Sequence, residues 1–237
     1  MHVQRLTEEF WQSGYLVLED FFDSGLMDRL DRLICSYFGD SPEFRHEQEF
    51  LDRAKTEVIP WFPQQEGVPA FDAVDADPRL EELTRSILGE RWERLYCMVM
   101  YSKQGTNGQA WHQDCPPEDP GVFNLNRLIY TRDITSAIGG ETVVVPGSHR
   151  CGLLPAGDPH ADFPGQVVLR PRKRTLVLLH GHTWHRVLPV RGAYRFSANY
   201  RAAPKDLTGE ITDICVYRNM RYRFSTSSVI EDRSVPA

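Results

Sequence analysis

His112-Gln113-Asp114, followed far along the chain by His185 and then Arg195, is the group whose residue types and spacing point most directly to chemistry. A His-x-Asp pair with one distant His is the ligand set of the two-histidine, one-carboxylate facial triad. That triad holds one face of a non-haem Fe(II) and leaves the opposite positions open for a co-substrate and O₂. On an extended strand, residues i and i+2 point to the same side, so His112 and Asp114 can grip one ion from a single short segment. Arg195 follows His185 by ten positions, a spacing that predicts a place on the next antiparallel strand, beside the metal. A guanidinium there can hold the far carboxylate of a keto acid through two parallel hydrogen bonds.

The elements that must position these groups read as follows. The 237 residues suit one domain with a sizeable core. The short helix 6–13 closes at Gly14, and Tyr15–Leu18 is a short apolar strand. A second helix starts at Asp23 or Ser24, with Leu26, Leu30, Leu33, Ile34 and Tyr37 at helical spacing. Residues 43–69 read as helix followed by irregular chain, and Pro78–Leu88 as a helix stopped by Gly89. The character then changes to short apolar or alternating runs separated by Gly, Pro and Asn: 95–102, 127–132, 142–145, 166–169, 175–179, 186–190 and 194–200. Helices first and strands later predict a mainly β protein, a double-stranded β-helix (jelly-roll, cupin-like) core with helices packed outside it. The division expected is a mainly helical part over 1–92, the jelly-roll core over 93–202 and a C-terminal extension over 203–237, all within one domain.

Composition narrows the function classes. The hydrophobic share of 41% and the charged share of 25% are those of an ordinary soluble globular protein. A net charge of −6 supplies no global field for nucleic acid, although the strips Arg170-Pro171-Arg172-Lys173-Arg174 and Arg218…Arg223 remain local candidates. No apolar run approaches the roughly 20 residues that span a bilayer, and Met1–Gly14, with its acidic residues, is no signal peptide. Cys35, Cys97, Cys115, Cys151 and Cys215 are scattered, odd in number and without a C-x-x-C pair, so they read as reduced thiols of a cytoplasmic protein.

At this point the chain resembles the phytanoyl-CoA dioxygenase family of Fe(II)- and 2-oxoglutarate-dependent oxygenases. The resemblance runs from Phe10…Gly14-Tyr15-Leu16-Val17-Leu18…Phe21-Phe22 through Trp111-His112-Gln113-Asp114 and the stretch Gly140 to Arg150, with its Pro146-Gly147-Ser148-His149 turn. It ends at Trp184-His185 and Arg195-Phe196-Ser197. It implies His112, Asp114 and His185 as iron ligands and Arg195 as the anchor for the far carboxylate of 2-oxoglutarate. It implies a structural role for His149, and it places Gln109 and Ser197 in the pocket. The strand 126–132 matches the family strand lining the co-substrate pocket, so Arg127, Ile129 and Thr131 are expected to alternate inward. There Arg127 meets a carboxylate or phosphate of the substrate, or else forms a surface salt bridge. His180 and His182 compete for the distal ligand role, but the family spacing to the arginine favours His185.

The reaction so implied consumes 2-oxoglutarate and O₂, yields succinate and CO₂, and begins with hydrogen abstraction from a small molecule. Hydroxylation is the expected outcome; desaturation and cyclisation start the same way. Asp114 argues against halogenation, because related halogenases carry a small residue in its place.

Two other readings stand beside this one. Arg195 and Arg201, six apart, resemble the R-x5-R signature of AlkB-type nucleic-acid demethylases, whereas the small-molecule reading gives Arg201 no contact with the keto acid. A non-catalytic cupin-like module that binds a metal or small ligand would need no Arg195. Substrate walls are expected from the loops 39–69 and 116–124, where Glu118 and Asp119 could pair with an amine. No nucleic-acid or membrane partner is expected, and the chain is expected to be a monomer or homodimer.

Overall fold

The computed structural model describes residues 2–39, 48–207, 211–216, 220–224 and 230–233. Helix α1 (Val3–Ser13) ends at Gly14, whose φ of 80° is left-handed and whose N–H returns to the Phe10 carbonyl. A side chain there is excluded twice, because a Cβ would lie 2.4 Å from Nδ1 of His149. After β1 (Tyr15–Leu18), helix α2 (Ser24–Phe38) starts on Asp23, whose carboxylate accepts the Leu26 N–H at 3.0 Å. Next come α3 (Gln48–Ala54), β2 (Ile59–Trp61) and α4 (Asp72–Asp75). Helix α5 (Pro78–Leu88) is capped by Asp77 and closed at Gly89.

The strands that follow are β3 (Trp92–Lys103), β4 (Gln109–Gln113), β5 (Leu125–Ile129), β6 (Thr142–Val144), β7 (Val167–Leu169) and β8 (Leu176–His180). They continue with β9 (His185–Val187), β10 (Tyr194–Pro204), β11 (Ile214–Val216), β12 (Met220–Phe224) and β13 (Ile230–Asp232). They form two antiparallel sheets, ordered β1-β8-β5-β10-β3-β2 and β13-β12-β11-β4-β9-β6-β7. The chain is a double-stranded β-helix with helices against one side, as expected.

Alternation along the first sheet separates two cores. Val99, Leu125, Ile129, Leu176, Leu178, Phe196 and Ala198 join Phe10, Met27, Leu30 and Ile34 of the helices in an outer core. Met98, Met100, Leu128, Tyr130, Val177 and Leu179 face inward and meet Val143, Ile214 and Phe224 of the second sheet. A fully buried aliphatic side chain contributes about 1.5–3 kcal/mol, so both faces of this sheet hold it in place and fix its register.

Boundaries differ from expectation at several points. Helix α1 starts three residues earlier, the strand expected at 127–132 runs over 125–129, and that expected at 186–190 begins at His185. The segment read as a C-terminal extension supplies β11 to β13, and β11 pairs directly with β4 beside His112. Arg218 lies outside the described residues. All five cysteines are free thiols. Among the described residues no helix is long and apolar enough to cross a membrane.

Candidate metal centre

In the second sheet β4 pairs with β9 so that His112 sits directly opposite His185. The register breaks between Gln109 and His112. Both residues, three apart, therefore reach the interior, while Trp111 turns away and donates its indole N–H to the Ala161 carbonyl at 2.8 Å. Asp114 lies just past the end of β4, fixed by its N–H to the Gly181 carbonyl at 2.7 Å. His185 Nε2 is 3.3 Å from Asp114 Oδ2 and His112 Nε2 is 3.8 Å from Asp114 Oδ1. All three potential ligand atoms lie within 4.8 Å of one another, and all three residues are buried. Metal bonds of about 2.1 Å meeting at right angles separate donor atoms by about 3 Å, so binding one ion draws the three donors closer together than they stand here.

Each imidazole is prepared for that role. Nδ1 of His112 faces the Ala110 carbonyl at 2.7 Å and Nδ1 of His185 faces the Thr183 carbonyl at 2.8 Å. A carbonyl only accepts, so the proton sits on Nδ1 and the Nε2 lone pair points inward. Burial, then the neighbouring His185, pushes the pKa of His112 down to about 3, so the ring stays neutral. Burial would raise Asp114, but Arg201 and then His185 hold its carboxyl well below the usual range.

Arg201, for which the small-molecule reading expects no contact with the keto acid, is paired with a member of the triad. Its Nη2 is 3.0 Å from Asp114 Oδ1, and its Nε donates to Asn126 Oδ1 at 2.9 Å. Asn126 in turn donates to Asp114 Oδ2 at 2.7 Å, and Asn199 donates to Asn126 Oδ1 at the same distance. Asn126 and Asn199 were missed as neighbours of the triad, and Arg201 was singled out only in the nucleic-acid alternative. The signal available was period two along β10, which puts Arg195, Ser197, Asn199 and Arg201 on one face.

Arg195 also departs from its expected place. It follows His185 in sequence, but β9 and β10 belong to different sheets. The arginine therefore reaches the metal ligands across the interior, not from an adjacent strand. It is 3% exposed and donates Nε–H to the Gly140 carbonyl at 3.1 Å. The Tyr130 hydroxyl faces its guanidinium without a well-formed hydrogen bond. Burial lowers its pKa, partly opposed by Tyr130. No carboxylate pairs with it among the described residues. It shares one cavity with Gln109, His112, Asp114, Thr142 and His185, walled by Met100, Leu128 and Leu179. The Ser197 hydroxyl, on the Arg195 face of β10, is buried and unpartnered.

The inward set expected on β5 is off by one residue. Asn126 and Leu128 line the cavity, and Tyr130 continues their face. Arg127 points outward, where Nη2 meets Asp75 Oδ1 at 2.9 Å and Nε donates to the Tyr200 carbonyl at 2.8 Å. It is thus neither a substrate contact nor a surface salt bridge but a buried ion pair. Ile129 packs in the outer core, and Thr131 bonds Asp31 at 3.0 Å. The strand is buried on both faces, so its sequence carries no alternation from which to read the parity.

The remaining candidates lie elsewhere. His180 stacks on Phe123 at 4.4 Å and neighbours His149 and His182, apart from the triad. His182 Nε2 faces the Pro116 carbonyl, and His149 Nε2 faces the Trp11 carbonyl in the turn that docks α1. Glu118 pairs with Arg221, and Asp119 accepts the Gly121 N–H within its own turn.

Comparison with known proteins adds the following. Residues 10–195 match the phytanoyl-CoA dioxygenase (PhyH) family. No curated protein matches the chain. Among solved structures, HygX from Streptomyces hygroscopicus with nickel and 2-oxoglutarate bound superposes with a TM-score of 0.68 at 18% identity, covering 86% of this chain and 88% of that one. The non-haem, alpha-ketoglutarate-dependent epimerase SnoN from nogalamycin biosynthesis gives 0.64 at 19%, covering 85% and 80%. These two likenesses concern the fold.

Proposed function

Because the chain belongs to the phytanoyl-CoA dioxygenase family of Fe(II)- and 2-oxoglutarate-dependent oxygenases, we propose that it hydroxylates a small molecule at the His112–Asp114–His185 centre, releasing succinate and CO₂. The observation that carries this reading is a buried, carboxylate-free Arg195 in the same cavity as three convergent metal-binding side chains. A buried charge without a partner is costly, and a dicarboxylate reaching from the metal to Arg195 removes that cost. The donor set also suits the ion, since two neutral imidazoles and one carboxylate on one side are the facial arrangement for non-haem Fe(II).

With Fe(II), 2-oxoglutarate and O₂ bound, the centre supplies the oxidant that removes a hydrogen atom from the substrate. The protein's own part is positional. His112 and His185 offer Nε2, and Asp114 offers one carboxylate oxygen. Asn126 and Arg201 keep that carboxylate ionised and oriented. Arg195 takes the far carboxylate as a two-pronged donor, with the Tyr130 and Ser197 hydroxyls beside it. Gln109 and Thr142 add polar contacts, while Met100, Leu128 and Leu179 exclude water. Arg127 and Thr131 take no part.

We prefer the small-molecule reading to the nucleic-acid one, on the net charge of −6 and on the pairing of one basic strip. The strip at 170–174 pairs within the chain, Arg170 with Glu141, Arg172 with Glu19, Lys173 with Asp28 and Arg174 with Asp20, which lowers its net positive field. Orphaned Arg195 argues against a non-catalytic module. We place the protein in the cytoplasm, as a single-domain monomer or homodimer. The direct test is incubation with Fe(II), 2-oxoglutarate, labelled O₂ and candidate small molecules. Hydroxylation gives succinate in step with a product carrying one labelled oxygen. An isomer without label indicates epimerisation, the reaction named for SnoN, and absence of succinate under every condition contradicts the reading.

A further inference from the structure

Asn199 carries an acceptor that no described residue uses. The side chain is 2% exposed and lines the cavity beside the triad, and its Oδ1 is buried without a hydrogen-bond partner. A relay that starts at the metal-binding carboxylate fixes which end of the amide is left over. Ionised Asp114 only accepts, so Asn126 turns its amino group to Asp114 Oδ2, at 2.7 Å. Asn126 Oδ1 then accepts twice, from Arg201 Nε at 2.9 Å and from Asn199 Nδ2 at 2.7 Å. With its amino group so engaged, Asn199 is left with its carbonyl oxygen. Its partners on the neighbouring strands are Met98 and Leu128, which line the same cavity. The acceptor thus stands in apolar surroundings, where an unmade hydrogen bond is costly.

We propose that Asn199 is a specificity residue, whose Oδ1 accepts a hydrogen bond from a hydroxyl of the small molecule to be oxidised. This rests on the oxygenase reading above and adds a chemical feature of its substrate. The keto acid cannot fill the place. Its carboxylates and keto group are all acceptors, and an amide oxygen turned toward them repels. A cationic amine is opposed by the charges. With a divalent ion and the dianionic keto acid bound, the ion, Arg195 and Arg201 exceed Asp114 and the keto acid by one positive charge. A hydroxyl meets neither obstacle. An analogue without a donor leaves Oδ1 unsatisfied, which is how a site built around one buried polar group discriminates. The step is binding alone, with no bond made or broken.

Three probes of nearly one shape test this: 2-propanol, acetone, which only accepts, and the isopropylammonium ion. Each is added to the protein loaded with Mn(II) and 2-oxoglutarate without O₂, and the relaxation of its methyl protons by the bound Mn(II) reports residence beside the metal. In the parent, 2-propanol is expected to relax several-fold faster than either of the others. Asn199→Leu, which lacks the acceptor, is expected to bring 2-propanol down to the acetone value. Arg201 Nε still holds Asn126 in that variant, so calorimetry is expected to show Mn(II) and 2-oxoglutarate bound as tightly as in the parent. Asn199→Ala serves if the leucine variant does not fold. Equal relaxation of 2-propanol and acetone in the parent, or a difference that survives Asn199→Leu, means that water alone satisfies the oxygen and overturns the proposal. Weakened 2-oxoglutarate binding in Asn199→Leu assigns the residue to the co-substrate, and a preference for isopropylammonium assigns it to a cation; either result also overturns it. If the unaltered Mn(II) protein binds no 2-oxoglutarate, the co-substrate reading itself fails, a result distinct from these.

Discussion

The carbonyl of Gly140 accepts the Nε–H of Arg195 at 3.1 Å, and the same glycine, at φ 71°, presents bare backbone to the stem of that arginine. A Cβ at position 140 would lie 2.7 Å from Arg195 Cγ, and the left-handed backbone disfavours any side chain there. Gly140→Ala should therefore displace the guanidinium while leaving the triad in place. The expected result is at least about tenfold weaker 2-oxoglutarate binding with unchanged Mn(II) affinity, both measured by calorimetry. Unchanged keto-acid affinity would show that Arg195 does not depend on this contact.

Arg127 and Asp75 form a buried pair on the face of the first sheet that looks away from the metal. Removing one partner of such a pair leaves an uncompensated buried charge and costs about 3–5 kcal/mol. Asp75→Ala should lower stability by that order in urea denaturation, and the folded variant should bind metal as the parent does. A loss below about 1 kcal/mol would mean that water already screens the Arg127 charge.

His180 makes stability depend on pH. Its unfolded value is near 6.5, whereas burial, then His182 and His149, pushes it down to about 2 in the fold. Below pH 6.5 the unfolded chain takes up a proton that the folded chain refuses. The stability is thus fully present above 6.5 and declines as pH falls toward 2, by about 1.4 kcal/mol per pH unit from this group. His180→Gln should flatten the curve of unfolding free energy between about pH 6 and 4. An unchanged slope would place the acid sensitivity elsewhere.

The cysteines differ in access. Burial pushes the Cys115 thiol up to about 12 and raises Cys97 and Cys215 as well, whereas Cys151 is exposed. A thiol reagent at mildly alkaline pH should label Cys151 first and leave the three buried thiols until unfolding, as read by peptide mass. Early labelling of Cys115 would show that the loop beside Asp114 opens.

The convergence of the triad was legible because His112 and Asp114 lie two apart in sequence, the first on β4 and the second just past its end, a spacing that lets both face one side. The face of β5 was not legible, since Leu125, Leu128, Ile129 and Tyr130 are buried on both sides of the sheet and give no alternation. Nor was the sheet change between His185 and Arg195, because the segment 188–193, exposed at Pro189, Arg191 and Ala193, has the length and composition of an ordinary turn while it carries the chain from one sheet to the other. Arg201 could have been found by counting by two from Arg195. The strand Met220–Phe224 could have been found from its own alternation, with Met220, Tyr222 and Phe224 buried and Arg221 and Arg223 more exposed.

The central claim is that one ion sits on His112, Asp114 and His185 and takes 2-oxoglutarate as a chelating ligand. It is tested most directly by the visible charge-transfer band that forms when Fe(II) and 2-oxoglutarate are added to the protein without O₂. The expected result is a band that saturates at one Fe(II) per chain, is lost in His112→Ala and His185→Ala, and persists in His182→Ala. A band that survives His185→Ala but disappears with His182→Ala, or no band in the unaltered protein, would contradict the account.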